Sequence, residues 1–378
     1  MTEQPRQANT DLALDPAAMQ SLVVSIRQWA KELGFQAVAI SDAVIDRDAE
    51  HFKSWLAKNF HGEMAYMANN IDKRIDPTLL EPGTLRCISL RMDYRDSDGA
   101  DPLTILNDPS KAYISRYALG RDYHKLIRKR IAQLAKRIRD AAPVAAGRAF
   151  VDSAPLLERA LAQRAGMGWI GKNSMLINDK AGSWFFLGEL LTNLPLPVDP
   201  PQATMHCGSC QACLPACPTK AIVAPFQVDG RRCISYLTIE LKGAIPESLR
   251  PMMGNRVFGC DDCQLVCPWN KFAGDNQEQD FKPRHNLDNQ QLTDLFLWSE
   301  QDYLSKTEGS AIRRIGYARW LRNLAVGLGN ADTTPDIIDA LQQRLDVDDE
   351  MVREHIRWAL AQHGINNQEN APDNTVTR

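Results

Sequence analysis

CGSCQACLPACP, residues 207–218, is the stretch on which the reading of this chain turns. Its cysteines, Cys207, Cys210, Cys213 and Cys217, follow the C-x2-C-x2-C-x3-C-P spacing of bacterial 4Fe-4S proteins. The short gaps let three thiolates of one segment cap three corners of a cubane, while the longer step and the proline turn the fourth thiolate toward a second cluster. A later block, CDDCQLVCP at 260–268, holds Cys260, Cys263 and Cys267 and lacks one cysteine of the full pattern, which Cys233 supplies. Crossed ligation of the two-cluster ferredoxin kind predicts one cluster on Cys207, Cys210, Cys213 and Cys267, and the other on Cys217, Cys233, Cys260 and Cys263. Structural zinc sites also use C-x-x-C pairs, but runs that end in Cys-Pro favour iron. The ninth cysteine, Cys87, sits in an apolar strand-like segment and reads as a small buried hydrophobe without a part in the chemistry.

Around this core the chain is 378 residues long with 44% apolar and 24% charged content, enough for two or three domains with cores of their own. The first fifteen residues are polar and contain no apolar run of the secretory kind, and no later stretch approaches a membrane span, so a cytoplasmic location is expected. In that reducing compartment clustered cysteines imply a metal or cofactor rather than disulfides. A formal net charge of -3 excludes a global attraction to nucleic acid and leaves only local basic surfaces for a polyanion.

Residues 17–33 carry apolar groups at helical spacing and 36–40 read as a short strand. Further strands are expected at 85–90, 147–151, 174–177 and 183–191, with helices between several of them, which suggests an open α/β domain. A helix over about 122–142 is rich in Lys and Arg, either a solvated face or one turned to RNA. The proline-rich segment LPLPVDPPQ, 194–202, marks a boundary near residue 195. After about 285 the pattern is helical, and LRNLAVGLGN from Leu321 resembles IRWALAQHG from Ile356, 35 residues later, the spacing of a HEAT-type helical pair. The expected organisation is a flexible 1–16, an α/β domain over 17–195, a ferredoxin-like two-cluster domain over 196–284, an all-α HEAT-like domain over 285–365 and a flexible 366–378.

Two motifs invite misreading. Gly166, Gly168 and Gly171 spell GxGxxG, but they follow a helix and lead into a strand, the reverse of the dinucleotide fold, so they read as a helix cap and a close-approach loop. Asp122 to His124 begins like a corrinoid histidine-ligand motif, yet the expected later glycine is Ile127, which leaves His124 as a surface or substrate-facing group. Two neighbouring clusters move electrons singly, so they imply either a carrier or an enzyme in which they feed a flavin, a corrinoid or the substrate itself.

Beyond these motifs the chain resembles the epoxyqueuosine reductase family over nearly its whole length, through HGEMAYM and IDKRIDP (61–77), RYALGRDYHKLIRKR (116–130), VDSAPLLERALAQRAGMGWIGKNSMLI (151–177) and both cysteine blocks. The resemblance implies a cobalamin in the α/β domain, two 4Fe-4S clusters and a HEAT-like domain that helps to hold tRNA. It implies a reaction that removes the epoxide oxygen of epoxyqueuosine in an anticodon loop, with two electrons and two protons, to leave an alkene and water. Asp152 of VDSAP is then the proton donor, although a residue at a strand end can also serve as a cap, and a water-poor pocket should raise its pKa. Arg74, Lys172, Asn173, Ser174, Arg232 and Asp262, with Asp152, would line the cobalamin pocket. The expected partners are tRNA carrying epoxyqueuosine and an external one-electron donor of the ferredoxin or flavodoxin type, with the enzyme a monomer free of membranes. Arg128, Arg130, Arg137, Arg313, Arg314 and Arg322 are candidate phosphate contacts. The alternatives are a corrinoid or flavin-linked small-molecule reductase and an electron-carrier subunit.

Overall fold

The computed structural model describes residues 15–201 and 204–365. The ends expected to be flexible, up to residue 14 and from residue 366, lie outside the described residues. The chain forms two compact units, each gathered from three segments. The first takes Met1–Ser97, Gly120–Cys233 and Asp261–Lys282; the second takes Asp98–Leu119, Ile234–Cys260 and Pro283–Arg378. Among the described residues no helix is long and apolar enough to cross a membrane.

The first unit is built on a four-stranded sheet. Helix α1 (Pro16–Glu32) starts with Asp15 accepting hydrogen bonds from the N–H groups of Ala17 and Ala18, and Pro16 at the first turn costs no intrahelical bond. It leads into β1 (Ala37–Ser41), then α2 (Asp46–Ala57), β2 (Arg86–Asp93), α3 (Tyr123–Ala141), β3 (Gly147–Phe150) and α4 (Glu158–Arg164). A short hairpin follows, β4 (Trp169–Ile170) with β5 (Leu176–Ile177), before the last sheet strand, β6 (Phe185–Thr192). The sheet order is β1-β2-β6-β3, and every pairing is antiparallel. The expected strands are thus present, four of them in this antiparallel sheet and the one at 174–177 in the hairpin. Alternation along the chain says that helices cover the sheet; it does not set strand direction.

Helices cover both faces, so most residues of β2 (RCISLRMD) and β6 (FFLGELLT) are buried, polar ones such as Ser89 and Glu189 included. On one face Gly188 leaves room for Ile127 and Ile131 of α3, and any side chain there would collide with them. On the other, Cys87 and Leu191 pack with Phe150, Leu156, Ala160 and Leu161 on and before α4. Ser89 and Glu189, a register pair between β2 and β6, share that second face and are fully buried. The proline-rich segment is pinned to this unit: the Asp199 carboxylate accepts from the Ile40 N–H at 2.8 Å and from Arg27 at 2.5 Å.

In the second unit Tyr113–Ile114 pairs in parallel with Arg256–Phe258. Helices α5 (Gly316–Asn330), α6 (Pro335–Gln343) and α7 (Glu350–Gln362) follow. The two similar segments, 321–330 and 356–364, lie on or at the ends of α5 and α7, which pack together where Gly329 admits Trp358 and Ala359. Arg322 is fully buried here and donates to the carbonyls of Leu237, Leu241 and Gly243, so its proposed contact with phosphate is corrected to a structural one. Three main-chain acceptors, two of them buried, claim the guanidinium before any ligand can.

Candidate active site

Asp152 stands in the turn between β3 and α4, in the left-handed backbone region with φ +49°. Aspartate and asparagine are among the few L residues that tolerate it. Its Oδ2 accepts a hydrogen bond from the Tyr123 hydroxyl at 2.6 Å and lies 3.2 Å from His124 Nε2. Both partners come from the first turn of α3, where Asp122 does two jobs: it accepts from the His124 N–H as helix cap and sits 2.6 Å from His124 Nδ1. Burial alone would lower the His124 pKa, but hydrogen bonds to Asp122 and Asp152, aided by their charges, overturn that and raise it to about 9. The imidazole is therefore a cation at neutral pH and donates on both sides. The Tyr123 ring is fixed between His124 and Phe186 of β6, at centroid distances of 4.1 and 3.9 Å.

The Asp152 side chain is 55% exposed in this structure. The desolvated acid is its neighbour. Glu158, at the start of α4, accepts the Asp152 N–H at 2.6 Å; lost hydration and the adjacent Asp152 charge push its carboxyl up to about 8. Behind it, on the buried sheet face, Glu189 accepts from the Cys87 thiol at 2.9 Å and from Ser89 at 2.7 Å. Burial, then the charge of Glu158, raises the Glu189 carboxyl well above its usual range.

Arg159, next to Glu158, donates to the Ser174 carbonyl and so ties α4 to the loop that holds Lys172, Asn173 and Ser174. That loop in turn grips the cysteine segments. Lys172 Nζ donates to the carbonyls of Gly208 and Cys210 at 2.7 and 2.8 Å, and Asn173 Nδ2 donates to the Cys263 carbonyl at 3.1 Å. Arg232 is nearby in sequence to Cys233 and donates to the Thr219 carbonyl at 2.9 Å, two residues beyond Cys217. The GxGxxG glycines form the expected cap and loop: Gly166 ends α4 at φ +79°, and Gly168 lies so close to the Ile177 carbonyl that no Cβ fits.

The helical turns Cys213–Ala216 and Asp262–Leu265 pack side by side, which brings the two cysteine blocks together. Burial, then Cys207, Cys267 and Cys210, raises the Cys213 thiol; Cys267 is raised by burial and then by Cys207 and Cys210. Cys263 is raised well above its usual value by burial and next by Cys233, with Asp261, Cys217 and Cys213 following. Cys213 and Cys267 thus both feel Cys207 and Cys210, and Cys263 feels Cys233, Cys217 and Cys213, while among the described residues no three His, Cys, Asp or Glu side chains are already gathered as a metal site. Cys260 precedes Asp261 in the chain and is partly exposed. Gln264 and Asn270 bind Ser183, just before β6, and fix the second block against the sheet. Arg74, on the short helix Ile71–Ile75, is 7% exposed; it donates one hydrogen bond to the Tyr66 carbonyl, while its Nε meets no partner.

Residues 206–270 match the family model described as a 4Fe-4S double cluster binding domain, and residues 74–153 match "Epoxyqueuosine reductase QueG, DUF1730". An epoxyqueuosine reductase of Pseudomonas aeruginosa is 58% identical over 364 residues, covering 96% of this chain and 99% of that one. The chain belongs to the epoxyqueuosine reductase family. Another epoxyqueuosine reductase, from Escherichia coli, is 53% identical over 348 residues, covering 92% of this chain and 91% of that one. Two solved epoxyqueuosine reductases align at 27% identity over 91% of this chain. One, from Bacillus subtilis, has its catalytic aspartate loop swung out of the active site (TM-score 0.82, 90% of that chain). The other holds an epoxyqueuosine-modified tRNA stem loop (TM-score 0.77, 99% of that chain). As a member of the epoxyqueuosine reductase family the protein is an oxidoreductase with a double 4Fe-4S domain, which sets aside the carrier-subunit and dehalogenase-like alternatives.

Tyr123, Glu158 and Arg159 were not singled out by sequence reasoning. Tyr123 was in view only as part of a false corrinoid motif, and Glu158 gains its part from the turn at Asp152, which no local pattern announces.

Proposed function

We propose that this enzyme removes the epoxide oxygen of epoxyqueuosine in a tRNA anticodon loop, in the cytoplasm and as a monomer, with Asp152 as the proton donor. The observation that carries the reading is a continuous set of contacts between acid and electron source. Asp152 is held by Glu158, Arg159 next to Glu158 holds the 172–174 loop, and Lys172 and Asn173 hold the main chain beside Cys210 and Cys263. The two clusters would sit on Cys207, Cys210, Cys213 and Cys267 and on Cys217, Cys233, Cys260 and Cys263, filled one electron at a time by a ferredoxin or flavodoxin.

The cofactor beside them is proposed to be cobalamin. The residues fit a large polar ligand: Arg74 keeps a buried N–H without a partner, an orphan donor that a bound group would satisfy. Arg74, Asp152, Lys172, Asn173, Ser174, Arg232 and Asp262 would line the pocket, with Lys172 and Asn173 shaping it through main-chain contacts. Reduced cobalamin supplies a strong nucleophile toward strained carbon. The protein's own part is acid catalysis and placement. The Asp152 carboxylate would take a proton from the His124 cation 3.2 Å away and pass it to the departing oxygen, while the Tyr123 hydroxyl fixes the carboxyl's direction. The single-stranded anticodon base would be splayed into the site, with Arg128, Arg313 and Arg314 as exposed cations for phosphate. Arg130 and Arg137 are already paired, with Glu278 and Glu32, and would contribute less.

The test is anaerobic purification with iron and cobalt quantified and turnover measured on epoxyqueuosine-bearing tRNA with a chemical reductant. About eight iron atoms and one cobalt per chain are expected; zinc in place of iron, or turnover without cobalt, refutes the assignment.

A further inference from the structure

The left-handed turn at Asp152 is held from two directions. Tyr123 and His124 grip its side chain, whereas its main-chain N–H is taken by Glu158 Oε1 at 2.6 Å, across the bend that leads into α4. The other main-chain bonds of this bend, Ser153 N–H to the Val151 carbonyl and Leu156 N–H to the Ala154 carbonyl, are internal to it and do not anchor it to a helix. We propose that Glu158 is a positioning residue: its carboxyl oxygen sets the backbone angle at which the Asp152 carboxyl meets Tyr123 and His124, and so keeps the acid in the reactive place. This rests on Asp152 being the proton donor.

The surroundings of Glu158 explain why a carboxylic acid suits the task. It faces Asp152, Arg159 and His124; the Arg74 cation also feels it, as do the titratable Glu189 and Cys87 on the sheet. With its carboxyl pushed up to about 8, Glu158 is mostly a neutral acid at pH 7 and can hold the N–H without repelling the Asp152 carboxylate. Ionisation above that pH sets two negative charges against each other across the turn. The hold is therefore firm below about pH 8 and weakens above it.

The experiment compares Glu158→Gln and Glu158→Ala in the cluster-loaded enzyme, with kcat, KM for tRNA, iron content and deuterium exchange of the 151–157 peptide as readouts. Glutamine retains an acceptor oxygen without a titrating charge. It is expected to keep kcat within about threefold and to lose the fall in kcat and the rise in exchange expected of wild type through pH 8. Alanine is expected to lower kcat by tenfold or more, as small misplacements of catalytic groups do, with KM and iron within about twofold and faster exchange at 151–157. Wild-type exchange and kcat in Glu158→Ala, or a Glu158→Gln variant as impaired as alanine, overturns the proposal. Should the alanine variant fail to fold, the pH profile of Glu158→Gln decides alone: an unchanged alkaline fall near 8 overturns it. Asp152→Asn is the separate control, since normal turnover there would refute the proton donor while the exchange data still judge the contact.

Discussion

Asp152→Asn isolates proton donation from folding more cleanly than most active-site changes. Asparagine is at home at positive φ, so the +49° turn at this position carries no added backbone cost. The side chain is 55% exposed, and the Tyr123 hydroxyl can donate to an amide oxygen as it does to the carboxylate. What is lost in the ground state is a partly exposed charge contact with His124, worth about 0–1 kcal/mol. What is lost in the reaction is the carboxyl that carries a proton from His124 to the departing oxygen. Positioned general acids contribute roughly 10²–10⁴ in rate, which is about 3–5 kcal/mol of barrier. The variant should therefore melt within a few degrees of wild type, retain its iron, and convert epoxyqueuosine at least 100-fold more slowly. Single-turnover conversion of a modified stem loop, followed by mass spectrometry of the nucleoside, gives the rate. A rate within about fivefold of wild type at full iron content, far short of a general acid's share, would refute Asp152 as the donor. Because Asp152 helps to raise His124, the same variant must also lower the His124 pKa.

That histidine supplies a pH prediction of its own. Its folded pKa lies near 9, above the ordinary 6.5, so the stabilisation from its two carboxylate contacts is complete below about 6.5 and is lost as pH rises through about 9. A ring-proton NMR titration of His124 checks this, and a midpoint at or below 6.5 contradicts it. Arg322→Met strands the carbonyls of Leu237, Leu241 and Gly243 and should cost about 1–3 kcal/mol in urea unfolding. A loss under about 1 kcal/mol, the size of an exposed contact, would mean that the buried guanidinium is dispensable. RNA binding should weaken steeply with salt, and Arg128→Ala, Arg313→Ala and Arg314→Ala should each flatten the slope by about 0.7–0.9; slopes equal to wild type would remove these residues from the interface.

The cysteine pattern, the helix and strand segments and the family likeness were all legible along the chain, for a common reason. Each depends on spacings of a few residues, and the peptide geometry converts such spacings directly into a cluster-binding loop, a helix face or a strand. The direction of the strands was not legible, because helices of similar pattern can return the chain either way. Nor was the burial of Arg322, whose acceptors lie some 80 residues away in sequence.

The acid site divides along the same line. That Asp152 stood at a strand-to-helix turn could be read from its neighbours, but its setting could not. Tyr123 and His124 reach it from a helix 29 and 28 residues earlier, and Glu158 reaches back across a turn whose left-handed angle has no sequence signature. Local chemistry settled which groups this protein carries, since ligand spacing is a property of short chain segments. Which of those groups is exposed, which is neutral and which is charged was settled only when packing placed them within hydrogen-bond reach, because desolvation and mutual charge act through space and not along the backbone.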